Sequence, residues 1–115
     1  MWRPLALAIT AAVIAACGDN TSQLATTNVY KSRGSLQCTG GGTAPAVMSM
    51  DLTNAGIDVK SFTCGNDGLA HAAVCGTSDG AINIFEIPEN QAGQAQSLAF
   101  SLLSTLPTAA EVPCP

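Results

Sequence analysis

The clearest hydrophobic pattern of the chain lies in its second half. The stretch AINIFEIP, Ala81–Pro88, is rich in β-branched and aromatic residues and ends at a proline, which predicts a strand. The stretch IDVKSFTC, residues 57–64, begins with alternating apolar and charged residues, which predicts another strand. Shorter strands are predicted for SLQC at 35–38 and for HAAVC at 71–75, because glycine-rich turn sequences flank both.

Helical spacing of apolar residues occurs in two places. Met48 and Leu52 recur at helical spacing, Thr43 is suited to cap a helix, and Gly56 is suited to end one, so we predict a helix over 45–55. The second helix starts after Asn90 and carries alanines at helical spacing. It either runs to residue 103, or stops near residue 99 and is followed by a strand over 100–106.

The order of these elements predicts an α+β fold. A strand, a helix, a strand, a short hairpin arm, a strand, a helix and a final strand follow the split β-α-β order of ferredoxin-like domains. We therefore expect one antiparallel sheet that carries both helices on one face and leaves its other face open.

The start of the chain is typical of an exported protein. Residues 5–16, LALAITAAVIAA, carry no charge and follow a single basic residue, Arg3. As a helix, this run would span about 18 Å, against about 30 Å for the hydrocarbon core of a bilayer. It is too short for a stable membrane span and predicts a signal peptide over residues 1–16.

The sequence IAAC at 14–17 resembles the lipobox of bacterial lipoproteins. The resemblance implies that the Cys17 thiol carries a diacylglycerol, that the chain is cut before Cys17, and that the new amine is acylated. Several acyl chains make a durable anchor, so the expected partner is the lipid bilayer. Because Gly18, not an aspartate, follows the cysteine, the resemblance favours the outer membrane over the inner membrane. An ordinary signal peptide with an unmodified Cys17 is the alternative.

The remainder divides into a tether and a domain. Residues 17–28 are polar after the cysteine and have no apolar period, which predicts a flexible tether, and residues 29–115 are expected to form one small domain. An even number of cysteines in a short exported domain indicates disulfides. The four that follow the tether are Cys38, Cys64, Cys75 and Cys114.

Three pairings of these cysteines are open from the sequence. A turn between residues 69 and 70 would place Cys64 opposite Cys75, which favours a Cys64–Cys75 bridge and leaves Cys38 to pair with Cys114. Such bridges would stabilise a domain that is too small to rely on its core alone.

Charge and motifs exclude several classes of function. The chain has four Lys and Arg residues against eight Asp and Glu residues, and it lacks a basic cluster, so we expect no binding of nucleic acid. It contains neither a C-x-x-C motif nor an evident nucleophile–base pair, so we expect no enzymatic activity and no cofactor.

Residues 29–115 are also similar to small, uncharacterised exported bacterial proteins. The similarity is carried by LQC at 36–38, AGIDV at 55–59, AVCG at 73–76 and the G-x-I-x-I-x-E-I pattern at 80–87. It brings no established activity with it.

Together these features predict a membrane-anchored lipoprotein that faces the periplasm. We expect a non-enzymatic binding or envelope-structural module with an envelope protein as its partner. The alternative is a periplasmic protein that handles copper or zinc, with His71 and either Met48, Met50 or a free cysteine pair as ligands.

Overall fold

A computed structural model describes residues 25–115, in which two helices and five strands form an α+β domain. The elements are β1 (Thr26–Ser32), α1 (Pro45–Asn54), β2 (Ser61–Asn66), β3 (Ala81–Pro88), α2 (Ala92–Ser97), β4 (Ser101–Leu102) and β5 (Ala110–Val112). Short 3-10 turns cover Glu89–Gln91 and Leu103–Thr105. The predicted signal peptide over 1–16, Cys17 and residues 18–24 of the tether lie outside the described residues.

The five strands form one sheet in the order β4-β1-β3-β2-β5, and every pairing is antiparallel. The central strand β3 has the bounds that its β-branched pattern predicts. Its apolar side chains are buried on both faces of the sheet. Phe85 and Ile87 point to one face, and Ile82 and Ile84 point to the other.

Both helices pack on the face of the sheet that carries Phe85. Val29 of β1 lies opposite Phe85, and these residues share one buried cluster with Leu52 of α1 and Ala95 of α2. The Phe100 ring meets the Phe85 ring edge-on at 5.6 Å between centroids. Each fully buried large apolar side chain contributes about 1.5–3 kcal/mol, so this cluster is the main source of stability in the sheet. The predicted placement of the helices is confirmed.

The opposite face is covered, not open as the sequence suggested. The strands β4 and β5 lie at opposite edges of the sheet, so the connection between them, residues 103–109, has to cross it. We call residues 103–109 the crossing segment. Since the helices occupy the first face, the crossing segment runs over the second, where Ile82 and Ile84 are each only 3% exposed.

The α+β class is confirmed, whereas a ferredoxin-like arrangement is not. The five-strand order is not that of a ferredoxin fold, because β5 is added along the outer edge of β2. The fourth strand is also reduced to two residues. Of the two alternatives for residues 100–106, a helix that runs to residue 103 is wrong. A helix that stops near residue 99 with a strand after it is confirmed in part, since α2 ends at Ser97 and Ser101–Leu102 pairs with β1. The strand is shorter than predicted, because the chain then enters a 3-10 turn.

The first strand differs most from its prediction. It occupies Thr26–Ser32 and so begins within the predicted tether of 17–28. Its side chains are mostly polar, and only Val29 is fully buried, which is why the apolar pattern does not reveal it. At the predicted strand 35–38, only Leu36 makes isolated bridges, and residues 71–75 are an exposed loop.

The helices follow the predicted positions with different ends. Helix α1 ends one residue before the predicted limit, and Gly56 follows it with a φ of +85°. Thr43 does not cap α1, because Ala44 holds the N-cap position and the Thr43 carbonyl accepts a hydrogen bond from Asn83 Nδ2 at 2.8 Å. Asn90 lies in a 3-10 turn and is not the N-cap of α2. Within residues 25–115, neither helix has the length and apolar character needed to cross a membrane.

Candidate functional site: two disulfide-linked loops

Two loops meet at the end of the sheet where β1 and β2 finish. We call residues 33–44 the glycine loop and residues 67–80 the histidine loop. The Cys38–Cys75 disulfide joins them, with 5.1 Å between the Cα atoms. Backbone hydrogen bonds reinforce the contact, because Gln37 N–H donates to the Thr77 carbonyl at 2.8 Å and Leu36 bridges to Ser78. The two loops therefore form one surface.

The second disulfide joins Cys64 to Cys114. Cys64 is buried in β2, where it lies opposite Asn83 on one side and Val112 on the other. Cys114 lies two residues after Val112, so the Cys64–Cys114 bridge fixes the edge strand β5 against β2.

The prediction that the four cysteines pair is confirmed, but the favoured pairing of Cys64 with Cys75 and of Cys38 with Cys114 is wrong. The favoured pairing assumed a tight hairpin from Cys64 back to Cys75. Instead, β2 pairs with β3, and the Asp67 N–H donates to the Gly80 carbonyl at 2.9 Å, which closes the histidine loop at its base. Cys75 lies far along this loop and meets the glycine loop.

The glycine loop takes an unusual backbone path. Cys38 and Gly40–Gly42 all have positive φ, between 66° and 83°. The glycine at position 42 is required on packing grounds as well, because a Cβ there would lie 2.5 Å from the Arg33 carbonyl oxygen. That oxygen also accepts a hydrogen bond from Thr43 N–H at 2.9 Å. The TGGGT sequence therefore brings the loop back on itself.

Asp79 is fixed between the two loops. Its Oδ1 accepts hydrogen bonds from the Ala81 N–H at 3.0 Å and from the Ser35 hydroxyl at 2.7 Å. These two bonds hold the pKa of the Asp79 carboxyl below its ordinary value, and the positive charge of Arg33 adds a smaller effect. Asp79 is thus ionised at neutral pH and attaches the buried Ser35 to the start of β3.

A cleft of about 580 Å³ lies beside the glycine loop. Its walls include Arg33, Asp79, the three glycines 40–42 and the two prolines of the C-terminal segment, Pro113 and Pro115. The cleft therefore combines one basic and one acidic side chain with exposed backbone.

His71 lies next to Asp67 in the histidine loop. Its Nε2 is 2.8 Å from one carboxylate oxygen of Asp67 and 3.0 Å from the other. Gly80 lies beneath the pair, since a Cβ there would be 3.0 Å from the His71 ring. Asp67 is also the turn residue that the sequence predicts, because it accepts the Leu69 N–H at 2.9 Å. The sequence did not indicate the pairing with His71, because its pattern predicts a strand over residues 71–75.

The pair orients the imidazole, but activation of a nucleophilic side chain also needs that side chain within hydrogen-bond reach of the other ring nitrogen. Within residues 25–115, Nδ1 of His71 has no hydrogen-bonding partner. The described part of the chain also lacks any group of three or more His, Cys, Asp or Glu side chains that could hold a metal ion. Met48 lies in the core, where its sulfur accepts a hydrogen bond from Asn83 Nδ2 at 3.4 Å, and Met50 is exposed on α1.

Exposed apolar side chains mark the loop surface. Leu36 of the glycine loop is 39% exposed, and Leu69 and Val74 of the histidine loop are 50% and 57% exposed. These side chains stand on backbone that a disulfide and several hydrogen bonds hold in place. The loops thus present an apolar surface in a fixed conformation.

Comparison of the chain with protein-family models, with curated proteins and with solved structures finds no match. The resemblances to lipoproteins and to small exported bacterial proteins stay predictions from the sequence.

Proposed function

We propose that the protein is a lipoprotein of the bacterial envelope that faces the periplasm and binds an envelope partner through its linked loops. Cys17 carries the lipid, residues from Gly18 onwards tether the domain, and the outer membrane is the favoured location. The observation that carries the proposal is the pair of disulfides, because such bonds form in exported proteins and are rare in the cytosol.

The disulfides and the start of the sequence support each other. Four of the five cysteines are consumed by the two bridges, and the fifth is Cys17 in the IAAC motif. The short apolar run before Cys17 supports export, and export supports oxidation of the other four cysteines.

A binding role is favoured over catalysis by the character of the loop surface. Binding residues are concentrated on loops that a rigid scaffold positions. Here the apolar side chains of Leu36, Leu69 and Val74 are presented by two cross-linked loops, so little conformational entropy would be lost when a partner binds.

The anchor is tested by metabolic labelling with an alkyne fatty acid, followed by membrane fractionation. We expect the label on the natural chain and none on a Cys17→Ser variant, which should also leave the membrane fraction. A Ser22→Ala variant in the same tether is the matched control and should behave as the natural chain. A natural chain without label, or a Cys17→Ser variant that stays on the membrane, would contradict the lipoprotein proposal.

The binding surface is tested by placing a photo-crosslinking amino acid at Val74 in living cells. The matched control is Val47 on α1, because it is equally exposed, at 57%, and lies outside the loops. We expect a discrete crosslinked protein from position 74 and none from position 47. Equal crosslinking at both positions, or none at position 74, would show that the loops are not the binding surface.

We also propose that β1 to β4 are a split β-α-β unit to which β5 has been added. The partial order β4-β1-β3-β2, its antiparallel pairings and the crossover through α1 support this view. Hydrogen exchange tests it, because an added strand should exchange its amides before the other four. Simultaneous exchange of all five strands would argue for a single unit.

A further inference from the structure

The cleft beside the glycine loop contains hydrogen-bond donors that the described residues do not use. The Arg33 guanidinium makes no ion pair or hydrogen bond with residues 25–115. The N–H groups of Gly41 and Gly42 have no acceptor in the same part of the chain. A guanidinium and neighbouring backbone N–H groups complement the two oxygens of a carboxylate.

The same cleft contains one acceptor next to these donors. Asp79 uses Oδ1 for both of its hydrogen bonds, and Oδ2 accepts none within residues 25–115. The negative charge of Asp79 offsets the positive charge of Arg33 within the cleft. A ligand with one negative charge and an N–H donor close to it suits this arrangement better than a doubly charged phosphate.

We infer that the cleft binds the C-terminal residue of a peptide. Arg33 and the N–H groups of Gly41 and Gly42 would hold the terminal carboxylate, and Asp79 would accept the amide N–H of the same residue. The side chain of that residue would lie against Pro113 and Pro115, which form an apolar wall of the cleft. This inference rests on the proposed binding function and names its ligand class.

The test uses the ¹⁵N-labelled mature protein in detergent and follows the amide shifts of Gly41, Gly42 and Ala81. The probes are N-acetyl-Ala-Ala, the same dipeptide with a C-terminal amide, acetate and inorganic phosphate. We expect saturable shifts with the free acid and binding of the amide at least about tenfold weaker, because the amide loses the charge-assisted contact to Arg33. Acetate should bind weakly at the same amides, because it lacks the N–H donor.

Two variants and one control complete the design. Arg33→Gln should weaken binding of the acid by about tenfold or more. Asp79→Asn should weaken binding of the dipeptide but not that of acetate. Lys60→Gln removes one positive charge outside the cleft, from an exposed pair with Asp58, and should bind as the natural chain does.

The inference is overturned if acid and amide bind equally, if Arg33→Gln binds as well as the natural chain, or if phosphate binds more tightly than the dipeptide. None of these outcomes depends on the lipid label or on crosslinking at position 74. A failed titration with successful crosslinking would therefore remove only the ligand class, whereas failed crosslinking would remove the loop surface proposed above.

Discussion

The sheet with its helices and the pair of linked loops are stabilised in different ways. In the sheet, Val29, Leu52, Phe85 and Phe100 are almost completely buried, and burial of apolar area drives the assembly. In the histidine loop, every residue from 68 to 78 is exposed, so burial contributes little there. The Cys38–Cys75 bridge and a few hydrogen bonds take its place.

This difference indicates where the chain can support function. A core residue is restricted by its neighbours, whereas the exposed residues of the histidine loop are restricted mainly by covalent and hydrogen-bonded attachment. The loops therefore present side chains such as Leu69 and Val74 without burying them, at the cost of depending on disulfides. The predictions below separate the two kinds of stabilisation.

Loss of both disulfides should have the largest effect. The bridges close segments with sequence separations of 37 and 50 residues. On the chain-entropy model, each is worth about 4 kcal/mol, and a domain of this size has a total stability of about 5–15 kcal/mol. Reduced and alkylated protein should therefore be largely unfolded by circular dichroism. A native spectrum after alkylation would show that the sheet needs no covalent support.

The single-bridge variants localise the effect. With Cys38 and Cys75 both changed to Ala, we expect the histidine loop to lose amide protection while β3 keeps its own. With Cys64 and Cys114 both changed to Ala, β5 should lose amide protection before the other strands do. If both variants lost protection uniformly, loops and sheet would be one cooperative unit and the comparison would fail.

Truncation of the central aromatic residue comes next in size. Phe85 is fully buried and contacts the rings of Phe62 and Phe100, so Phe85→Ala should lower the free energy of unfolding by about 3–5 kcal/mol. Phe62 is 46% exposed, and Phe62→Ala is the matched control with an expected cost of about 1 kcal/mol. Urea denaturation measures both. Equal costs would show that the core extends to the outer edge of β2.

The sheet was predictable from the sequence where burial left a local pattern. The bounds of β3 follow from its β-branched residues, and α1 follows from the spacing of Met48 and Leu52 and from Gly56. The strand β1 was missed because pairing with neighbouring strands, and not an apolar pattern of its own, determines its position in the sheet. Its Thr26 hydroxyl donates to the Glu86 carboxylate at 2.8 Å, a contact that no local pattern reveals.

For the linked loops, the sequence predicted which cysteines form disulfides but not how they pair. Four cysteines in a small domain that is predicted to be exported indicated two bridges. Their pairing depends on how far the histidine loop reaches, which no periodicity in the sequence records. The glycines 40–42 were interpreted as a turn that ends a strand, whereas they also line the cleft beside Arg33. Contacts between residues distant in sequence, such as Ser35 with Asp79, require the fold itself.

Digestion with a protease that cuts before aspartate tests the pairing directly. Cuts before Asp51, Asp58, Asp67 and Asp79 place the four cysteines of the domain on four separate peptides. Without reduction, the Cys75 peptide should be linked to the Cys38 peptide, and the Cys64 peptide to the Cys114 peptide. Mass spectrometry that found Cys64 linked to Cys75 would restore the hairpin pairing expected from the sequence.

Two glycines of the histidine loop should differ in a way that separates backbone strain from packing. Both have positive φ, +70° at Gly68 and +91° at Gly76, so alanine costs about 1–2 kcal/mol at either position. A Cβ at Gly68 would also clash with the Thr108 carbonyl of the crossing segment, whereas a Cβ at Gly76 meets nothing within 4 Å. Gly68→Ala should cost about 3 kcal/mol in urea denaturation, given a further overpacking cost of about 1–3 kcal/mol.

Equal costs for Gly68→Ala and Gly76→Ala would show that packing against the crossing segment does not stabilise the histidine loop. A larger cost at Gly68 would connect the loop surface to the covered face of the sheet. The two regions would then be joined by packing at Thr108 as well as by the chain.

The smallest effect should be the pH dependence contributed by Asp79. Its pKa is lowered in the folded state by the hydrogen bonds from Ala81 and Ser35. An acid with a lowered pKa stabilises the fold above its unfolded pKa, about 3.9 for aspartate, and this contribution is lost as the pH falls through the folded pKa. Asp79→Asn keeps an acceptor oxygen and removes the charge, so it should cost about 1 kcal/mol at pH 7.

The cost of Asp79→Asn should stay constant from pH 7 down to the region of the unfolded pKa, about 3.9, and shrink as the pH falls below it, measured by urea denaturation at each pH. Phe85→Ala is the control, because its cost arises from lost packing and should not change with the charge of Asp79. A pH-independent cost at Asp79 would mean that the carboxylate contributes by shape alone. If the cost of Asp79→Asn vanishes in acid while that of Phe85→Ala does not, this pH dependence arises from the carboxylate between the linked loops and not from the sheet core.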